Sequence, residues 1–441
     1  MHYDTVVIGG GPGGYDCALA LAAGGQRVAL VEKEALGGTC LQRGCVPTKT
    51  LLHEAAKGLA DSGALQARKE AVVAQQEAGL AGLLKRAKVT VYPATGRIGG
   101  GPCLQVSDGT VLTADNFVIA TGSVPQVPPI PGVNLPGVVT SDALLSLAGD
   151  LPDRLLIIGG GVIGVEMAAL YHALGTEVTV LEALPSLLNT MDKEIGRSLG
   201  AQFKKEGIRS VTGARVKAIA QAGSGLTVTY EAKGQEDRVA ADCVLVATGR
   251  KPATEGLFAP EVQPEMNRGA LVVNDRYETS LATVYAIGDV IGGTQLAHKA
   301  TADGRALAAI LLGQAPEPLA AIPACVYTQP EIATVGLDES AAKAAGFEPV
   351  VGKAVMGGNA KTVIDELPRS FMKLVFDAAS GRLLGAQLYC GRASDLIAAC
   401  AFALQGKLTA AQMAATVLPH PTYSEALTEA ALAALTSLKG R

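Results

Sequence analysis

The chain predicts an α/β fold, with two Rossmann-like dinucleotide-binding units followed by a C-terminal α+β domain. Three observations predict it. A buried-strand run, a Gly-x-Gly-x-x-Gly turn and a helix pattern open the chain. The same series recurs from Leu155. From Ile322 the composition changes to a mixed strand-and-helix pattern. At 441 residues and 49% hydrophobic, the chain can fill two to three domains with sizeable cores.

The first unit begins with the strand Thr5 to Ile8. Gly9-x-Gly11-x-x-Gly14 follows, then a helix through Ala23 and a strand, Val28 to Val31, that ends in Glu32. The glycines allow a tight turn and close approach of a pyrophosphate. The helix N-terminus receives the phosphates, and the acid takes a ribose hydroxyl. A lone glycine pattern would be weak. Here a strand precedes it, a helix follows, and Glu32 stands where the ribose acid belongs.

Residues 50–88 read as helical, with Ala, Lys, Glu and Gln interspersed. His53 on this run reads as a surface or packed residue. Val89 to Val106 reads as short strands with Gly-rich turns. Phe117 to Ser123 is a strand end containing Ala120-Thr121-Gly122, and a proline-rich link, Pro125 to Pro136, leads on.

The second unit repeats the first. Leu155 to Ile158 is a strand, Gly159-x-Gly161-x-x-Gly164 opens a helix, and Glu177 to Leu181 is a strand ending in Glu182. An acid there pairs with the 2′-hydroxyl of NAD and repels the 2′-phosphate of NADP. No Arg or Lys lies between Glu182 and Met191, so NAD is expected. Val244 to Pro252 repeats the Ala-Thr-Gly strand end at Ala247-Thr248-Gly249. The stretch Leu155 to Gly175 is long and apolar, but it holds Glu166, His172 and several glycines. It reads as this strand–turn–helix unit, and no membrane span is expected.

Composition excludes other classes. A net charge of −4 provides no basic footprint for nucleic acid. Eight unevenly spread cysteines do not make a secreted disulfide scaffold. Met1 to Asp4 runs into a strand with no basic leader, so a cytoplasmic location is expected.

Two cysteines stand out. Cys40 and Cys45 lie in Gly37-Gly38-Thr39-Cys40-Leu41-Gln42-Arg43-Gly44-Cys45-Val46-Pro47-Thr48-Lys49, just ahead of a helix-like run from Pro47 to Lys57. Pro47 suits a first helical turn. A cysteine at a helix N-terminus is biased towards thiolate by the helix dipole. Residues five apart in a regular helix have Cα atoms roughly 8.5 Å apart, whereas a disulfide needs about 4.4–6.8 Å. A bond between them therefore requires a break in the helix, and Gly44 allows one. Spacing alone leaves a redox pair, a structural disulfide or two unrelated thiols open. Zinc is not expected, because no second Cys/His pair follows at ligand spacing.

His420 sits between Pro419 and Pro421, which stiffen the backbone around it. Imidazole titrates in the range that thiol exchange needs, and Glu425 could orient the ring. Thr422-x-x-Glu425 before an apolar run is also a helix-capping box, the reading that the sequence pattern alone favours.

The segment GGTCLQRGCVPTK closely resembles the redox-active disulfide segment of the flavin- and pyridine-nucleotide-dependent disulfide reductases. Leu296-Ala297-His298-Lys299-Ala300 resembles the dihydrolipoamide dehydrogenases among them. The resemblance covers essentially the whole chain. It implies FAD on the first fingerprint and NAD on the second. Its domains would be 1–140 with 270–318 for FAD, 141–269 for NAD, and 319–441 for dimerisation. It implies a Cys40–Cys45 disulfide, a His420–Glu425 base pair, and a Lys49–Glu166 ion pair beside the flavin. FAD would be held by Gly9, Gly11, Gly14, Glu32, Lys49, Thr121, Gly122, Asp289 and Ala297. NAD would be held by Gly159, Gly161, Gly164, Glu182 and Gly249. His298 is expected to line the flavin pocket without a catalytic role. The activity implied is NAD-linked oxidation of dihydrolipoamide on a lipoyl carrier protein, by a homodimer with shared active sites. Gln42 and Arg43 depart from the Asn and Val of many members. The tail Leu435 to Arg441 lacks the extra cysteine pair of mercuric and large thioredoxin reductases.

Overall fold

A computed structural model describes residues 1–101, 103–146, 151–318 and 321–439. In the first unit, strand β1 (His2–Ile8) leads through helix α1 (Pro12–Ala23) to β2 (Val28–Glu32). Helices α2 (Gly38–Arg43), α3 (Cys45–Ala56) and α4 (Ser62–Arg86) follow, then β3 (Thr90–Pro93), β4 (Gly96–Ile98), β5 (Cys103–Val106) and β6 (Val111–Ile119). Among the described residues the sheet runs β3-β2-β1-β6-β5-β4. Its core pairs are parallel, as expected of strands buried on both faces. The helical stretch expected over 50–88 is broken at residues 57–61. Gly58 there takes φ +85°, and Asp61 caps α4 by accepting from the Ala64 N–H at 2.7 Å.

Two short strands, β7 (Ser123–Pro125) and β8 (Val138–Thr140), and the short helix α5 (Ser141–Leu144) lead to the second unit. It consists of β9 (Arg154–Ile158), α6 (Val162–Ala173), β10 (Glu177–Glu182), α7 (Lys193–Glu206) and β11 (Arg209–Thr212). The meander β12 (Ala214–Ala222), β13 (Gly225–Ala232) and β14 (Gln235–Ala241) follows, and then β15 (Cys243–Val246). Its parallel sheet runs β11-β10-β9-β15-β8.

The chain returns to the first unit through β16 (Arg250–Pro252), which pairs with β7. Next come a small hairpin, β17 (Met266–Asn267) and β18 (Ala270–Leu271), and β19 (Val284–Ala286), which pairs with β6. Leu257 and Leu271 are both buried in the core under the first sheet, where Phe258 and Val262 also pack. The packing thus carries the return back beyond the expected boundary at 269/270. Helix α8 (Ala297–Leu311) lies against α1 so closely that a Cβ on Gly304 would stand 2.4 Å from the Gly13 carbonyl.

Residues 319–320, at the expected start of the third domain, lie outside the described residues, as do Gly440 and Arg441. The third unit is an antiparallel sheet of β20 (Ala324–Val326), β21 (Glu331–Gly336), β22 (Pro349–Val355), β23 (Phe371–Asp377) and β24 (Leu383–Cys390). Around it lie helices α9 (Glu339–Ala344), α10 (Ala360–Ile364), α11 (Ala393–Gln405), α12 (Ala410–Ala414) and α13 (Glu425–Lys439). One hydrophobic core joins all three units. It gathers Leu51 and Leu65 from the first, Val165 and Tyr171 from the second, and Ile332 and Tyr389 from the third. Among the described residues, no helix is long and apolar enough to cross a membrane.

Candidate active site

A cleft of about 1540 Å³ runs between the two glycine loops. It exceeds the roughly 300–1,000 Å³ of an ordinary small-molecule pocket. Gly9, Gly11, Glu32, Thr121, Gly122, Asp289 and Ala297 line one end. Gly159, Gly161, Glu182 and Gly249 line the other, and Cys40, Cys45, Lys49 and Glu166 lie within it. The first and third glycines of each fingerprint are sterically required. A Cβ on Gly14 would lie 1.9 Å from the Gly9 carbonyl, and one on Gly164 equally close to that of Gly159. No side chain caps α1 at Gly11 or α6 at Gly161, so their first N–H groups are left for a ligand. Two uncapped, close-packed helix starts fit the pyrophosphates of two dinucleotides.

The ribose acids are held by backbone. Glu32 accepts from Gly10 N–H at 2.6 Å and Glu34 N–H at 2.9 Å. Glu182 accepts from Gly160 N–H at 2.5 Å and Leu184 N–H at 2.7 Å. Each carboxylate is aimed across its glycine loop. No basic residue lies between Glu182 and Met191 in the chain. The fold brings Arg215 and Lys217 of β12 to this end of the cleft. Lys217 is engaged by Glu231 at 2.6 Å.

The cysteine segment breaks where the glycine allows. Cys40 lies in α2, Cys45 begins α3, and Gly44 between them takes φ −143° and ψ −109°. As a dithiol, the pair favours a proton on Cys40 and a thiolate at Cys45, the Cys40 thiol acting as hydrogen-bond donor. That hydrogen bond, with the nearby Lys49 cation, outweighs burial and brings Cys45 down to about 7. The same bond and burial push Cys40 well above the usual thiol range. Lys49 is ion-paired to Glu166 at 2.7 Å, and the Glu166 side chain is 4% exposed. The other Glu166 oxygen accepts from Tyr327 N–H at 3.0 Å, and the Lys49 ammonium sits 4.6 Å from the centre of the Tyr327 ring.

Asp289 accepts from the Ser123 hydroxyl at 2.6 Å. Arg250 holds the same serine twice, at its hydroxyl (2.8 Å) and its carbonyl (2.7 Å). Sequence reasoning missed Ser123 and Arg250 as site residues, although both stand beside the Thr-Gly strand ends. His298 lines the cleft, its ring 2.6 Å from the Pro323 carbonyl. Arg43 also lines it, ion-paired to Glu34 and, at 3.9 Å, to Asp142.

His420 and Glu425 are not among the residues lining this cleft. They stand on the third unit, with the His420 side chain 71% exposed. His420 Nδ1 lies 2.8 Å from one Glu425 oxygen, while the other accepts from Thr422 N–H at 2.9 Å. One Glu425 oxygen thus meets the histidine ring and the other the backbone. The Thr422 hydroxyl donates to the Pro419 carbonyl at 2.7 Å. The Glu425 carboxyl is held below its usual range by the Thr422 N–H and by His420.

Comparison with known proteins shows the family. The profile of the pyridine nucleotide-disulphide oxidoreductases matches residues 3–304, and that of their dimerisation domain matches residues 322–431. The chain belongs to the pyridine nucleotide-disulphide oxidoreductase family. Its cofactors are FAD and NAD. A dihydrolipoyl dehydrogenase of Chlorobaculum tepidum is 39% identical over 99% of this chain and 98% of its own. One of Bacillus subtilis is 36% identical over 98% of each. Among solved structures, a Cu(II) complex of the HOCl-induced flavoprotein disulfide reductase RclA from Escherichia coli superposes with a TM-score of 0.90. It is 30% identical, with 98% of this chain and 99% of that one covered.

Proposed function

We propose that the protein is a dihydrolipoyl dehydrogenase, oxidising dihydrolipoamide on a lipoyl carrier protein with NAD as acceptor. The observation that carries this reading is the Cys40 and Cys45 pair, beside Lys49, in a cleft that joins both dinucleotide loops. Full-length likeness to curated dihydrolipoyl dehydrogenases supports it.

In the oxidised protein Cys40 and Cys45 form a disulfide. His420 takes a proton from one substrate thiol, and Glu425 orients the ring and stabilises its cation. The resulting thiolate attacks Cys40, and Cys45 leaves as a thiolate. The Lys49 cation beside it favours that thiolate and so its departure. The second substrate thiol then displaces Cys40, closing the lipoyl disulfide and leaving two electrons on the cysteine pair. Bound FAD and NAD supply the two-electron path out of that pair, ending in NADH. Lys49, fixed by Glu166, holds positive charge beside Cys45 throughout. Gly9, Gly11, Gly14, Glu32, Thr121, Gly122, Asp289 and Ala297 hold the flavin dinucleotide. Gly159, Gly161, Gly164, Glu182 and Gly249 hold NAD.

The protein acts as a homodimer in which His420 of one protomer serves the cysteines of its partner, and it works in the cytoplasm. The exposure of His420, away from the cleft of its own chain, supports the sharing. The domain division into 1–140 with 270–318, 141–269 and 319–441 belongs to the same reading, with the first unit's return extended by the Leu257 packing.

Steady-state NAD reduction with dihydrolipoamide, beside NADPH- and NADH-driven reduction of glutathione disulfide and thioredoxin, tests the assignment. Turnover confined to glutathione or thioredoxin would refute it. The structural likeness to RclA favours a second reading, a disulfide or metal reductase driven by NADH. NADH oxidation with Cu(II), outpacing that with lipoamide, would select it.

A further inference from the structure

The loop carrying His420 is braced by a short helix that the proposed chemistry leaves without a role. This helix, α10, has five residues, and the groups flanking both its ends reach the loop. At its N-terminus, Asn359 is buried, and its side-chain oxygen accepts from Thr362 N–H at 3.0 Å and from the Thr362 hydroxyl at 3.1 Å. With the oxygen so engaged, the amide nitrogen faces the other way. It donates to the Thr422 carbonyl at 2.9 Å. At the C-terminus, Asp365 accepts from the Tyr423 hydroxyl and pairs with Lys361 at 2.5 Å. Those two hydrogen bonds, Lys361 first, hold its carboxyl below the usual range, so the tyrosine is the donor.

These contacts grip the residues between His420 and Glu425. Thr422 is fixed at its carbonyl by Asn359 and at its N–H by Glu425 (2.9 Å). Tyr423 is fixed at its hydroxyl by Asp365. Glu425 in turn holds the His420 ring at 2.8 Å. Asn359 and Asp365 lie 61 and 55 positions before His420 in the chain, so only the fold joins them.

We propose that Asn359 and Asp365 are positioning residues for the His420–Glu425 pair, setting where the imidazole stands when the substrate thiol arrives. The inference rests on His420 being the base. Asn359→Ser tests it, because serine is also a good N-cap but lacks the amide that reaches Thr422. In the FAD-loaded protein, two half-reactions are followed by stopped flow: flavin reduction by dihydrolipoamide and flavin reduction by NADH. Asn359→Ser should slow the first by roughly ten- to a hundredfold, the scale of a misplacement of about 1 Å. The second should stay within about twofold, because no base is needed there. Asn359→Ser/His420→Gln should be no slower than His420→Gln alone, because residues acting as a unit are non-additive. Tyr423→Phe removes only the hydroxyl that meets Asp365, and should move the same half-reaction if Asn359→Ser proves too unstable to load FAD. Unchanged dithiol rates, equal losses in both half-reactions, or additive losses in the double variant would overturn the inference. If His420→Gln itself keeps the wild-type dithiol rate, the functional reading fails first. If His420→Gln is slow while Asn359→Ser and Tyr423→Phe are not, only the positioning role fails.

Discussion

The reduced protein should carry one reactive thiol, Cys45. An unperturbed thiol of pKa 9.0 is about 1% ionised at pH 7, whereas one brought to about 7 is about half ionised. The thiolate fraction rises roughly fiftyfold. The other thiols resolved as shifted move upward. Burial pushes Cys243 and Cys325 to about 11, Cys17 and Cys400 to about 12, and Cys390 higher. Alkylation with iodoacetamide from about pH 5 to 9, read peptide by peptide by mass spectrometry, should show Cys45 reacting first, with a midpoint near 7. The causes are also ranked. The hydrogen bond from Cys40 lowers Cys45 more than the Lys49 cation does. Cys40→Ala should therefore raise the midpoint more than Lys49→Met, and Cys40→Ser, which keeps a hydroxyl donor, should raise it less than Cys40→Ala. If Cys45 reacts no faster than Cys243 and Cys325, or if Lys49→Met has the larger effect, the electrostatic account is wrong.

Four further outcomes follow. The Glu182 carboxylate, rather than Arg215 and Lys217 nearby, should decide cofactor choice, giving kcat/KM for NADH at least about tenfold above NADPH; equal values would refute this. His420→Gln should slow thiol exchange by roughly 10²–10⁴-fold and spare flavin reduction by NADH. Purified heterodimers of His420→Gln with Cys45→Ser should recover activity that neither parent has; heterodimers as inactive as the parents would place the base within its own chain. Lys373→Met should destabilise the fold by about 3–5 kcal/mol, because it strands the buried Asp192 carboxylate that lies 2.7 Å from Lys373. The guanidinium unfolding midpoint measures this, and adding Asp192→Asn should recover part of the loss.

How much the sequence disclosed depended on how local each constraint was. The third glycine of each fingerprint is demanded by an atom five residues away, as between Gly14 and the Gly9 carbonyl, so its place is visible in one short window. The helix break at 57–61 was local too, but the Ala- and Lys-rich residues around Gly58 and Asp61 favour helix and masked it. The Arg250–Ser123–Asp289 chain spans 127 and 166 positions, and Asn359 meets Thr422 across 63. No periodicity or spacing rule reports contacts of that range. Glu425 shows a different limit. Capping and orienting a histidine require the same residue at the same place, and the structure gives one carboxylate oxygen to each.

The Lys49–Glu166 pair ties thiol chemistry to the fold. Cys45 and Lys49 lie four apart on α3, hence on one face of it. Glu166 stands on α6, two residues beyond the glycine that packs its fingerprint turn, and its second oxygen holds the start of the third unit through Tyr327 N–H. One buried carboxylate thus fixes the ammonium that faces the thiol, relative to all three units. It also works against that ammonium, because its negative charge raises Cys45 while Lys49 lowers it. Glu166→Gln removes the charge and keeps a single acceptor oxygen, which can serve Lys49 or the Tyr327 N–H but not both. The midpoint of Cys45 alkylation should therefore fall below that of the unmodified protein, opposite in sign to Lys49→Met. A midpoint that rises in Glu166→Gln would mean that the lysine leaves its place without the carboxylate. The pair would then act on the thiol through position rather than through charge.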